Sequence, residues 1–109
     1  MTVENLIETK LFTLQAQGNI SKPISKVFCC DLLSIAMSKA PTDAAWVTVM
    51  GNRNTLAVAS LADVSCIILA EGVLLSPEDL ACASDQGITV LSTELPVFDA
   101  GLKIQEKLL

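Results

Sequence analysis

The stretch Gly51-Asn52-Arg53-Asn54-Thr55 carries the residue types best suited to chemistry in this sequence. Gly51 permits dihedral angles and close backbone approach that other residues resist. The Asn and Thr side chains can cap a following helix, whose free N–H groups would carry a partial positive field suited to an anion. Arg53, the only arginine, could add a forked donor for a phosphate or carboxylate. A capped turn with a solvated arginine uses the same residues, and both readings stand. One consideration weighs toward a ligand or partner. A cation gains nothing at a helix N-terminus, where like signs meet. The stretch is not a nucleotide-phosphate loop, because neither Gly-x4-Gly-Lys-[Ser/Thr] nor Gly-x-Gly-x-x-Gly occurs.

Three further places hold polar or glycine residues directly after an apolar run: Asp31, Glu71-Gly72 and Ser92-Thr93. Asp31 reads first as the N-cap of the next helix, a role compatible with accepting a ligand hydroxyl. Glu71-Gly72 reads first as a turn, with a carboxylate contact to ligand as the second reading. Ser92-Thr93 could bind an anion or start the last helix, the latter preferred. The candidate ligand-binding set is therefore Asp31, Gly51, Asn52, Arg53, Asn54, Glu71, Ser92 and Thr93.

Catalysis has little to work with. There is no histidine, which removes His-based dyads, triads and metal sites. Activating a serine or threonine would then require a lysine or carboxylate. The lysines (10, 22, 26, 39, 103 and 107) all lie outside the four polar stretches. Cys29, Cys30, Cys66 and Cys82 form no Cys-x-x-Cys pair and spell no zinc site. They read as buried free thiols of a reducing compartment, with no metal or cofactor implied. No catalytic residue is assigned, and the expectation is a protein that is not an enzyme.

The elements that would position these residues follow a rhythm. Val27–Cys30, Ala45–Met50, Cys66–Ala70 and Ile88–Leu91 are short apolar runs, each followed by a helical pattern. Continuous apolar runs are the signature of strands buried on both faces. The fold class is α/β, a mainly parallel sheet with helices on both faces, in a single domain over residues 1–109. Upstream, Thr2 caps a short helix ending near Lys10, and Leu11–Leu14 is a strand candidate before the Gln17-Gly18-Asn19 turn. Residues 20–26 read as an irregular connection or an edge strand. Ser76-Pro77-Glu78-Asp79 opens a helix as a capping box with Asp79 reaching back, and Gly87 closes it. The last helix begins around Glu94–Val97, with Phe98, Leu102, Gln105 and Leu109 near one face.

Composition sets the outer limits. The 109 residues are 51% hydrophobic and 17% charged, which excludes intrinsic disorder. Seven Lys plus Arg against twelve Asp plus Glu give a net charge of -5, so no nucleic-acid partner is expected. No apolar run approaches the ~20 residues of a membrane span, and no secretory signal is visible. The expected location is cytoplasmic, without membrane association. A mean hydropathy of +0.55 predicts an apolar contact surface and a homodimer, with Trp46 or the last helix taking part.

Several blocks resemble the DRTGG domain family. They are Asp31-Leu32-Leu33-Ser34 with Met37, Trp46–Val49, Asn54-x-x-Ala57-Val58-Ala59, Ile67–Gly72 and Gly87–Thr93. The resemblance covers about residues 1–105 and rests on the order and spacing of the blocks. The Asp-Arg-Thr that names the family reads Asn52-Arg53-Asn54-Thr55 here. The resemblance implies a fold like the N-terminal domain of HPr kinase/phosphorylase. Stand-alone copies sometimes carry a kinase label, which belongs to a Walker-containing domain that this sequence lacks. It also implies a regulatory, self-pairing domain and, through Asn52, Arg53 and Asn54, adenine-nucleotide binding at a dimer interface. The expected function is a non-enzymatic module that dimerises and senses an adenine nucleotide or other small anion. The alternative is an interaction subunit of a metabolic enzyme with no small ligand of its own.

Overall fold

The computed structural model describes residues 1–109 and has ten elements in chain order. They are α1 (Val3–Glu8), β1 (Thr13–Ala16), β2 (Lys26–Cys29), α2 (Leu33–Lys39), β3 (Ala44–Thr48), α3 (Arg53–Ala62), β4 (Cys66–Leu69), α4 (Pro77–Asp85), β5 (Thr89–Ser92) and α5 (Val97–Leu108). Each apolar run became a strand and each following pattern a helix, so the α/β reading holds.

The strands form one five-stranded sheet in the order β1-β5-β4-β3-β2. β2 to β5 are mutually parallel, and β1 joins β5 antiparallel with an irregularity between Leu14 and Ala16. Every residue of β3, β4 and β5 is buried, which is why those runs contain no alternation. Successive side chains point to opposite faces and feed two separate cores. Trp46, Ile67, Leu69 and Val90 pack with Ala36 of α2, Leu56 and Ala59 of α3, and Ala83 of α4. Ala45, Val47, Cys66, Ile68 and Leu91 pack with Val3 and Leu6 of α1 and Ala100 and Ile104 of α5. Helices therefore cover both faces: three internal helices on one, the two outermost helices on the other.

Local chemistry sets the ends. Thr2 caps α1 as expected, and Asn5 closes the box by accepting the Thr2 N–H at 2.9 Å. Asn52 caps α3 through the Thr55 N–H at 3.2 Å, and Ser76 caps α4 through the Asp79 N–H at 3.1 Å. Gly87 leaves α4 at φ +75. It also receives the backbone of Gly18 so closely that a Cβ on Gly18 would run into the Gly87 carbonyl.

Three expectations are corrected, and the buried face of α5 is assigned. The first strand is Thr13–Ala16 rather than residues 11–14, because Phe12 turns into the core before the strand begins. Trp46 is 0% exposed, with its Nε1 donating to the Cys30 carbonyl at 3.0 Å, so it cannot serve as a contact residue on the surface. In α5 the buried face is Ala100, Gly101 and Ile104, while Phe98 and Leu109 are 72% and 93% exposed. Gly101 decides this: it lets the helix sit on Val27 and Cys29 of β2, where a Cβ would come within 2.9 Å of the Cys29 Sγ. Of the four thiols, all free, only Cys66 is buried; Cys29 is exposed and Cys30 and Cys82 are intermediate.

Burial pushes the Cys66 thiol up from its ordinary 9.0 to about 12. The folded state therefore holds a proton that the unfolded state releases above pH 9. Stability from this group is complete below pH 9 and falls as pH rises toward 12, at up to about 1.4 kcal/mol per pH unit. Urea titrations between pH 8 and 11 should show that decline, and it should be smaller in Cys66→Ala. Iodoacetamide should leave Cys66 unmodified until the chain is denatured.

Candidate functional site

Parallel β2 to β5 bring their carboxyl ends to one edge, where an open α/β sheet places its ligands. All the sequence candidates lie along this edge, but not all in the roles expected of them.

Asp31 does not cap α2. The N-cap is Leu32, which makes no side-chain capping bond. The Asp31 carboxylate reaches across to the end of β3, accepting the Thr48 hydroxyl and the Val49 N–H, both at 2.8 Å. Thr48 in turn accepts the Met50 N–H at 3.2 Å. Asp31 thus fixes the start of the 49–52 loop from a neighbouring strand. Its charge also adds to burial in pushing the Cys29 thiol up, with burial the larger cause.

The next two loops lean on this one. Gly51 lies against the Val73 side chain and the Leu74 backbone, where a Cβ would come within 2.5 Å of the Val73 Cγ1. Thr55 donates its hydroxyl to the Met50 carbonyl at 2.7 Å, closing the loop onto α3. Glu71 and Gly72 form a left-handed turn at φ 58 and 74. That turn is tied to the last loop by Glu71 N–H to the Leu95 carbonyl and Gly72 N–H to the Thr93 carbonyl, each 2.9 Å. The Glu94 carboxylate lies over Gly72, where a Cβ would meet its Oε2 at 2.6 Å. Glu71 thus makes the turn read for it, with its side chain exposed at the surface.

Ser92 is corrected. It is the last residue of β5, 6% exposed, and accepts the Gln15 side chain of β1 at 2.9 Å rather than starting a helix. Thr93 is half-buried and its hydroxyl accepts the Leu95 N–H at 3.2 Å; α5 begins only after Pro96.

Arg53 is the first residue of α3, and its Nε donates to Asp79 Oδ1 at 2.8 Å. The pair joins the N-terminal turns of α3 and α4. The Arg53 side chain is 61% exposed and the Asp79 side chain 18%. The cation that would sit unfavourably at a helix start is thus offset by an acid of the same chain. That pairing supplies a structural reason for Arg53 which the sequence did not show. Its two terminal amines have no partner in the chain and face outward beside the exposed side chains of Asn52 and Asn54.

The edge therefore holds Asp31, Thr48 and the 49–52 loop as one bonded unit and Glu71 to Leu95 as another, with Arg53 and Asp79 between two helix starts. Thr48, Asp79 and Glu94 were missed. Thr48 hid inside an apolar run, and Asp79 looked fully used as a local cap.

No family profile matches the chain, and no curated protein matches it. A solved structure does. It is that of the CBS and DRTGG domains of the regulatory region of Clostridium perfringens pyrophosphatase, complexed with the activator diadenosine tetraphosphate. The TM-score is 0.72 at 19% identity, over 93% of this chain and 44% of that one. The likeness shows a shared α/β fold with a regulatory region. The present chain spans less than half the length of that relative. No helix of the chain is long and apolar enough to cross a membrane.

Asp31→Ala removes two hydrogen bonds that cross between strands. It should destabilise the protein by about 1–2 kcal/mol in urea unfolding, since bonds to a charged acceptor exceed neutral ones. Thr48→Val should cost less, and the double variant should cost less than the sum, because both substitutions remove the same bond. Full additivity would show that the two groups do not interact.

Proposed function

We propose that this chain is a DRTGG-related regulatory module that senses a small anionic ligand, an adenine nucleotide being the leading candidate, and acts as a homodimer without catalysing a reaction. The observation that carries the reading is the fold shared with a regulatory region solved with its nucleotide activator. The chemistry of the carboxyl edge agrees at one place. Free arginine amines stand beside the start of α3, where helix N–H groups favour an anion. Elsewhere the edge is acidic, with Asp31, Glu71 and Glu94 exposed. An anionic group would therefore seat at Arg53, with Asn52 and Asn54 as neutral donors. The polar groups available suit binding and orientation; nothing among them pairs a nucleophile with a base.

The second reading is an interaction subunit that binds a metabolic enzyme and no small ligand. It is favoured by α5, whose Phe98 and Leu102 are exposed, with Leu109 exposed just beyond its end.

A thermal-shift series with AMP, ADP, ATP and diadenosine tetraphosphate separates the two. A ligand at 100 times its Kd should add about 2.7 kcal/mol of stability. A rise in Tm with at least one of them supports the sensing module, and flat responses to all four support the interaction subunit. Sedimentation equilibrium on the same samples should show a dimer at micromolar concentration, and a monomer there would remove the homodimer from the reading.

A further inference from the structure

The sheet ends in two outer strands, and they differ. β1 is antiparallel to its neighbour and shifts register between Leu14 and Ala16, an irregularity that blunts an edge. β2 keeps one register along its length and pairs only with β3. Just past its end the Cys30 N–H donates to the Val47 carbonyl. The alternation of a parallel ladder then turns the Phe28 N–H toward β3, and the N–H and C=O groups of Val27 and Cys29 away from it. No strand or loop of the chain bonds those outward groups.

The helices at this end of the sheet are also the least covered. On one face α5 packs on β2. On the other, α4 lies over β1 and β5 at the far edge and α2 packs beside α3, which leaves α2 as the helix nearest β2. Of the nine large apolar side chains left exposed, six belong to these two helices or their caps: Leu32, Ile35, Met37, Phe98, Leu102 and Leu109. The direction of the α5 stripe follows from Gly101, which rests on Val27 and Cys29. Phe98 and Gln105 neighbour Gly101 at helical spacing, so the line Phe98-Leu102-Gln105 runs along the β2 side of the helix. It carries no charge.

We propose that β2 is the interface strand of the homodimer: two copies pair their β2 strands antiparallel about a two-fold axis, which joins the sheets into one and lays α5 on α5 and α2 on α2. This rests on the reading that the chain acts as a homodimer, and it adds the surface through which it does so. A second copy fits this edge because one operation supplies every complement. Val27 of each copy faces Cys29 of the other, so the two outward rows satisfy one another. The start of one strand meets the end of the other, which brings Lys26 beside Asp31 of the second copy. Both groups have capacity left over at home. Lys26 forms no ion pair in its own chain, and both bonds that Asp31 accepts go to Oδ1, leaving Oδ2 without a partner. In a parallel pairing Lys26 would meet Lys26 instead, and like charges would oppose it.

Amide hydrogen exchange reads the pairing directly. Val27 and Cys29 should exchange slowly at concentrations where sedimentation finds a dimer and fast after dilution to the monomer. Phe28, bonded to β3, should stay slow in both. Fast exchange at Val27 and Cys29 within the dimer overturns the proposal. Leu102→Glu alters an exposed side chain and should raise the dimer Kd by about tenfold or more, as loss of a residue that matters to an interface does. Leu61→Glu, at an exposed leucine of α3, should leave it unchanged. A dimer as strong in Leu102→Glu as in the wild type, or equally weakened by both substitutions, overturns edge pairing while leaving the homodimer. A wild type that stays monomeric at every concentration removes the homodimer and this interface with it.

Discussion

Three strands with no solvent-facing side impose the rest of this structure. β3, β4 and β5 are buried along their whole length, so both faces of the sheet must be covered. The strands from β2 to β5 step across the sheet in one direction. Right-handed crossovers between parallel strands then send every internal helix to the same face. Consistently, α2, α3 and α4 share one core. The opposite face is left to segments outside the repeat, and α1 and α5 fill it with Val3, Leu6, Ala100 and Ile104. The outermost helices are therefore structural necessities, and the small residues of α5 follow from the closeness with which it must lie on β2.

The same one-way order gathers the candidate edge. Parallel strands deliver their loops to one side, and short connections force those loops together. Their packing runs through backbone more than through side chains. Gly51 meets the 73–74 segment, and the Glu71-Gly72 turn bonds to the backbone of Thr93 and Leu95. Asp31 anchors the other end of the row by spanning from β2 to β3. Each loop thus packs on or bonds to its neighbour along the row.

Much of the fold was readable because its determinants are local. Ile67-Ile68-Leu69 can only be a strand buried on both sides in a short chain, and Ser76-Pro77 can hardly avoid starting a helix. The errors share a different cause. Asp31 was assigned its nearest partner, the next helix, and chose a hydroxyl 17 residues away. Arg53 was read as free or ligand-bound because its acid lies 26 residues on, at a position that already had a local use. In α5 two patterns overlap, and only the one with the larger apolar residues was noted. Volume misled there, since a close approach to the sheet selects Ala and Gly over Phe and Leu. The DRTGG resemblance noted in the sequence agrees with a structural likeness at 19% identity, where pattern survives longer than residue identity.

Charge decides where on this edge an anion can be tolerated. A chain with a net charge of -5 repels a polyanion at long range, so recognition has to be made at contact distance. Glu71 and Glu94 at one end of the edge exclude that contact, and Asp31 adds a third carboxylate at the other. Between them stands one guanidinium that already has a carboxylate partner. The pairing with Asp79 offsets the conflict between Arg53 and the α3 dipole, so an exposed arginine stands at a helix start at little cost in stability. An otherwise acidic edge thus carries its one arginine in a pair with an acid of the same chain.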